Sequence, residues 1–393
     1  MTFSPINRRG LLRGIGAIGC SAAAFPLMTN VTFASAPWDG RLVVIILRGA
    51  MDGLDVLRPT GDADFGALRS SFGSEATELD GFFSLHKGLS DLLPLWQAGD
   101  IAFAHAVSTP YRDQRSHFDG QDMLEAGTTA STGIAGTRDG WLNRLLQVTP
   151  GIEAETGFAI GRENLRILSG SADVANWSPE TRLNLGASAE ELLTLAYQDD
   201  PLFRNAAAEA IALSKSVDPL AANGQPGFNR PERAIATFAA DRMRGDTRIV
   251  SFSLNGWDTH RAQKNAMSNL LARLSDTILT LKRGLGDTWF QTTVLAVTEF
   301  GRTARENGSG GTDHGTAGAM LLAGGAVRGG RVYGRWPGLS EADLYDRRDL
   351  MPTADVRAYV GSVMHALLRQ DKATIERSIL PGVELRDAPN VIL

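Results

Sequence analysis

Thr292-Thr293-Val294-Leu295-Ala296-Val297-Thr298, followed at once by Glu299-Phe300-Gly301-Arg302, is the stretch whose reading decides the fold. Its first seven residues are β-branched or apolar without alternation. A continuous run of this length, bounded by loop signals, suits a strand covered on both faces by helices. Polar chemistry begins where the strand stops: a carboxylate and a guanidinium, then a glycine-rich loop, then Asp313-His314-Gly315 before another apolar run. Open α/β sheets place their ligand sites at the carboxyl ends of strands. The gathering of Glu299, Arg302, Asp313 and His314 there marks a candidate site with hard-metal or anion chemistry.

The same pattern recurs outward from this stretch. Residues 42–47 predict a buried strand that runs into Arg48-Gly49-Ala50-Met51-Asp52-Gly53, and residues 101–106 predict a second. Ser116-His117-Phe118-Asp119 opens a helix in the manner of a capping box, with Asp in the place of Glu. Residues 248–254 form the next strand, ending in Asn255-Gly256-Trp257-Asp258-Thr259-His260, and an amphipathic helix over 261–285 leads back to Thr292. Further strands are expected near 319–323 and 332–333, with a last helix after Pro352-Thr353. Alternating strands and helices predict an α/β fold with a mostly parallel central sheet covered by helices on both faces. From about 128 to 230, short β-like pieces broken by Gly, Asn, Ser and Pro, then helical segments over 189–216, predict a mixed α/β insertion or cap.

Asn7-Arg8-Arg9-Gly10-Leu11-Leu12-Arg13 precedes a stretch rich in Ala, Gly, Ile and Leu, with no acidic residue before Asp39. This layout predicts a twin-arginine signal peptide over residues 1–36, cleaved after Ala34 or Ala36, and a single domain over 37–393 in the periplasm or outside the cell. The pathway carries folded proteins, which fits a passenger that acquires a metal before export. No apolar run reaches the ~20 residues of a membrane span. The single cysteine, Cys20, lies in the signal, so disulfides, cysteine nucleophiles and thiolate metal sites are excluded from the exported chain. Removing Arg8, Arg9 and Arg13 leaves 36 of the 39 basic residues against 44 acidic ones, a charge of -8, which argues against nucleic acid or an anionic membrane as partner.

Asp258 and His260 alternate about Thr259, so an extended backbone points both to one side, a geometry suited to two ligands of one cation. Carboxylate oxygen with neutral imidazole fits Zn, Mn or Fe better than Ca, and no organic cofactor is expected. Glu299 and His314 are further candidate ligands, and the glycines around His314 suit close backbone approach to a ligand. Arg302 reads either as a clamp for a tetrahedral anion or as an ion-pair partner of Glu299. Ser116, between Arg112, Arg115 and a helix start, reads either as a metal-activated nucleophile or as a helix cap; His117 reads as a ligand, a proton shuttle or a first-turn residue.

Leu47-Arg48-Gly49-Ala50-Met51-Asp52-Gly53-Leu54, Leu85-His86, His105-Ala106-Val107-Ser108-Thr109-Pro110-Tyr111-Arg112, Ser116-His117-Phe118-Asp119, Gly140-Trp141-Leu142-Asn143-Arg144, Gly256-Trp257-Asp258-Thr259-His260, Thr298-Glu299-Phe300-Gly301-Arg302-Thr303 and Thr312-Asp313-His314-Gly315-Thr316 together resemble the DUF1501 family. Its members carry twin-arginine signals and are grouped with the alkaline phosphatase and sulfatase superfamily. The resemblance implies one or two divalent metals held by Asp258, His260, Glu299, His314, Asp52 and Asp313, with Ser116 as nucleophile and His117 and Arg302 as further catalytic groups. Two departures stand out: Arg48 ends the first strand where the superfamily has Asp, and Phe300 stands where an Asp-His pair would continue. The expected activity is hydrolysis of small anionic phosphate or sulfate esters. The alternative is an inactive member that binds or assembles a cell-envelope protein partner.

Overall fold

The computed structural model describes residues 36–72, 75–112, 115–129, 139–152, 156–160, 165–177 and 231–393. The twin-arginine stretch and the expected helices over 189–216 lie outside the described residues.

Nine described strands make the central sheet: β1 (Arg41–Arg48), β2 (Ile101–Ser108), β3 (Gly157–Ile160), β4 (Ala175–Trp177), β5 (Ile249–Asn255), β6 (Thr292–Val297), β7 (Gly318–Ala323), β8 (Arg331–Tyr333) and β9 (Ala354–Asp355). Their order is β8-β2-β7-β6-β1-β5-β3-β4, and β9 also pairs with β2. β1 lies between β5 and β6 and is parallel to both, with Ile45 opposite Phe252 on one side and Ala296 on the other.

Only β7 is reversed, antiparallel to both β2 and β6. A parallel return needs a crossover, usually helical, and the loop between β6 and β7 contains no helix, so the chain comes straight back.

Helices cover both faces, as the continuous apolar runs require. The main ones are α1 (His117–Ala126), α2 (Trp141–Val148), α3 (Pro231–Arg244), α4 (Gln263–Leu285) and α5 (Val356–Leu367). Side chains alternate across a strand, so β1 feeds two cores. Val43, Ile45 and Leu47 pack with Ala236 and Met243 of α3 and Leu271, Leu274 and Ile278 of α4. Leu42, Val44 and Ile46 pack with Leu142 and Leu145 of α2 and Val363 and Met364 of α5.

Part of the expected insertion is instead built into this framework. β3 is parallel to β5, β4 is parallel to β3, and α2 belongs to the second core. Strands of four and three residues are too short to show a period of their own, which hid them among turn residues. A small antiparallel sheet, Leu57–Arg58, Ser84–His86 and Ala76–Glu78, flanks the β1 exit. No described helix is long and apolar enough to cross a membrane.

With β1, β2, β5 and β6 running the same way, their carboxyl ends share one edge. The segments bearing His117, Asp258 and Glu299 leave from that edge, and the loop bearing His314 returns to it.

Candidate metal centre

Beyond β5 the chain turns at Gly256 (φ 106), and Trp257 is driven into the core, where its indole N–H donates to the Leu254 carbonyl at 2.9 Å. That plug fixes Asp258 at the sheet edge with His260 on its side, as the alternation about Thr259 predicts. Asp258 Oδ1 lies 3.1 Å from His260 Nε2, 3.3 Å from His314 Nε2 and 3.4 Å from His117 Nε2. The Nε2 atoms of His260 and His314 are 2.9 Å apart. His117, Asp258 and His314 each offer a ligand atom, all within 4.8 Å of one another. Ligands at the ~2.1 Å of zinc–imidazole bonds stand about 3.4 Å apart in a tetrahedron, the size of the separations from Asp258 Oδ1.

Each imidazole is fastened from behind. His117 Nδ1 meets Glu299 Oε1 at 2.8 Å, His260 Nδ1 meets Asp313 Oδ1 at 3.2 Å, and His314 Nδ1 meets the Arg115 carbonyl at 2.8 Å. A carbonyl can only accept, so His314 carries its proton on Nδ1 and presents a lone pair at Nε2. Metal-binding histidines are held in this way by an oxygen on the far nitrogen. The residues fit a cation on a further observation: His117 Nε2 is buried without a hydrogen-bond partner, its 3.4 Å approach to Asp258 not being aligned as one.

Charge follows the same plan. Burial works to raise the Asp258 pKa, but the Arg302 guanidinium at 2.7 Å overrides it and brings the carboxyl down to about 2. Burial likewise opposes ionisation of Glu299, and hydrogen bonds from His117, Gln121 and the Gly49 N–H hold it below the carboxylate range. The Glu299 hydrogen bond raises His117, whereas burial lowers His314. Asn307 and then His260 keep Asp313 low. Three carboxylates, Asp258, Glu299 and Asp313, against one guanidinium leave two negative charges, the complement of a dication.

The family model for a protein of unknown function (DUF1501) matches residues 102–373. The chain belongs to the DUF1501 family. No curated protein matches it. Among solved structures it is similar to a protein in the alkaline phosphatase superfamily from Vibrio parahaemolyticus, with 12% identity over 88% of this chain and 72% of that one and a TM-score of 0.37. It is also similar to the lipoteichoic acid synthase LtaP from Listeria monocytogenes, with 8% identity over 75% and 68% and a TM-score of 0.36. A TAB5 alkaline phosphatase variant with Mg bound in its M3 site shares 13% identity over 74% of this chain and 91% of its own, with a TM-score of 0.32.

In this DUF1501 member the candidate residues divide. His117, Asp258 and His314 converge, and His260 stands beside them, 3.1 Å from Asp258 and 2.9 Å from His314. Glu299 and Asp313, expected as ligands, instead orient His117 and His260. Asp52, also expected as a ligand, is buried away from the cluster, ion-paired with Arg69 at 2.6 Å and hydrogen-bonded by Gln263. Arg302 does not pair with Glu299. Its guanidinium is consumed by Asp258 and by the carbonyls of Gly49, Ala50, Trp257 and Thr312, which ties four strand-end segments together. Ser116 is the N-cap of α1: its Oγ accepts from the Asp119 N–H at 3.4 Å, and its own N–H donates to the Tyr111 hydroxyl at 2.6 Å.

The two departures from the superfamily acquire roles. Arg48 pairs with Glu125 at 2.7 Å and donates to Gln121, so its charge is neutralised by α1. Phe300 is buried with its ring against His117, His314 and Tyr111, which limits how far the two imidazoles can swing. The glycines beside His314 admit backbone and not ligand: a Cβ on Gly311 would strike the His260 carbonyl, and one on Gly315 the Arg302 carbonyl. Sequence reasoning missed Gln121, Glu125 and Gln263. For Gln263 a signal existed, because it continues the Met267, Leu271, Leu274 stripe of α4 with a polar residue.

Proposed function

We propose that this chain is an exported metal-dependent hydrolase of phosphate or sulfate esters. The observation that carries the reading is the convergence of three Nε2 atoms on Asp258 Oδ1, each imidazole fixed from behind and one Nε2 buried without a partner. His117, Asp258, His260 and His314 would hold a divalent ion, with Zn, Mn or Fe better suited than Ca to this nitrogen-rich set. Such an ion, when bound, polarises an ester oxygen and offsets the charge that develops on it.

The chain's own groups supply the rest. Glu299 and Asp313 keep the lone pairs of His117 and His260 aimed inward, Arg302 keeps Asp258 ionised, and Phe300 restricts the rings. The amino terminus of α1, which begins at His117, favours an anionic substrate over a neutral one. Ser116 Oγ accepts the cap bond that holds the start of α1, and water is proposed as the attacking group. At His117 Nε2 a proton and the cation compete, so acid displaces the ion.

The rival reading, a binding or assembly protein of the envelope, is favoured by the engagement of the Arg302 guanidinium within the fold. Elemental analysis of the purified mature protein, with assays on chromogenic phosphate and sulfate esters, separates the two. The hydrolase reading expects about one equivalent of Zn, Mn or Fe and turnover that Asp258→Ala abolishes. Absence of a divalent metal, together with turnover indifferent to Asp258→Ala, would sink it; a metal-loaded protein inert on every ester supports the rival.

A further inference from the structure

We infer that Gln263, a buried side chain that touches none of the four ligand side chains, is the positioning residue that sets the spacing of the metal centre. The inference rests on the metal-centre reading above. Two segments must come together to build the cluster, one carrying Asp258 and His260 and the other carrying Asp313 and His314. Between each pair lies, or next to it stands, a buried threonine: Thr259 separates Asp258 from His260, and Thr312 precedes Asp313.

Both hydroxyls donate to the same atom, Gln263 Oε1, Thr259 at 2.9 Å and Thr312 at 2.7 Å. The other end of the amide donates to Asp52 Oδ2 at 2.6 Å and Asp55 Oδ2 at 3.0 Å. Those carboxylates are themselves locked by Arg69 and Arg58, each pair buried. All four hydrogen-bonding positions of the Gln263 amide are therefore filled, with acceptors on one side and donors on the other, an arrangement that fixes which way the amide faces.

Backbone bonds reinforce the join, Gln263 N–H to the Gly310 carbonyl at 2.8 Å and Thr312 N–H to the Thr259 carbonyl at 3.3 Å. A fully satisfied buried network of this kind rigidifies what it joins. Asp52 and Asp55 leave from the end of β1, so the clamp ties both ligand segments to the central strand. This is the role of Asp52 that its place after a strand disguised. The consequence is at the ligands: the hydroxyl bonds hold the two segments so that the His260 and His314 Nε2 atoms stand 2.9 Å apart.

The test breaks the clamp without touching a ligand. Thr259→Val with Thr312→Val removes both hydroxyls at nearly constant shape, and Thr259→Ser with Thr312→Ser keeps them. Co2+ is titrated into metal-free full-length mature protein, reading affinity and the visible absorption of the bound ion, alongside the melting temperature of the metal-free forms. The expected result is a loss of about tenfold or more in Co2+ affinity with a changed absorption band in the Val pair, and near wild-type values in the Ser pair. Should the Val pair not fold, the two single Val variants carry the same comparison. Equal affinity and equal spectra in the wild type, Val and Ser proteins would overturn the clamp alone. A wild-type chain that takes up no Co2+ would overturn the metal centre beneath it.

Discussion

Replacing Glu299 by Gln removes one negative charge from behind His117 while leaving the shape of the site. Glu299 is wholly buried; its Oε1 accepts from the Gly49 N–H at 2.9 Å, His117 Nδ1 at 2.8 Å and Gln121 at 3.2 Å, while Thr298 Oγ1 donates to Oε2 at 3.0 Å. A glutamine keeps a carbonyl oxygen facing the first three and turns its amide toward Thr298, whose hydroxyl can accept. The fold therefore survives and the loss falls on His117, now a weaker ligand. Mutation of an outer partner of this kind costs about 10–100-fold in metal affinity, or about 1.4–2.7 kcal/mol.

The pH dependence has a definite sign. In the native protein the same carboxylate raises the His117 pKa, so a proton competes more strongly for Nε2 than it would in the variant. Wild-type affinity thus falls faster on acidification, and the gap between the two proteins is widest near pH 8 and narrows toward about pH 6. Zn2+ titration calorimetry against a competing chelator at both values reads this directly. Equal affinities at the higher pH, or a gap that widens on acidification, would refute the reasoning.

Other outcomes follow from the same contacts. Ser116→Ala should lower stability by about 1 kcal/mol through loss of the α1 cap and leave turnover standing, as urea melts and ester assays would show; abolished turnover would restore Ser116 as the nucleophile. His105 is buried against Phe83 and Trp336, and burial lowers its pKa from 6.5 to about 4. Between those values the unfolded chain binds the extra proton, so stability declines by about 3 kcal/mol as pH drops from 6.5 to 4, and His105→Gln should flatten that decline in pH-dependent urea melts. Ile45→Ala, at a fully buried position of β1, should cost about 2–5 kcal/mol by the same measurement.

How much the residues disclosed depends on what each signal carries. The core strands were legible because a sheet sandwiched between helices needs apolar side chains on both faces, and runs such as 42–47 and 292–297 satisfy that without a break. The reversal of β7 was not read, although the absence of a helix in the loop before it was its cause. Asp258, His260 and His314 were legible because a strand end gathers whatever follows it. Asp52 misled for the same reason, since a carboxylate after a strand looks alike whether it meets a metal or Arg69, seventeen positions further on. Arg302 misled because the carbonyls that consume it come from distant segments. Ser116 and His117 each carried a structural and a chemical reading that the sequence alone left open; in the fold the serine caps α1 and the histidine reaches Asp258 and His314.

A crystal of the protein grown with Zn2+ and measured on both sides of the zinc absorption edge tests the central claim most directly. The account predicts one anomalous peak about 2.0–2.2 Å from His117 Nε2, His260 Nε2, His314 Nε2 and an Asp258 carboxylate oxygen. No peak, or a peak held by other residues with these four apart, would contradict it.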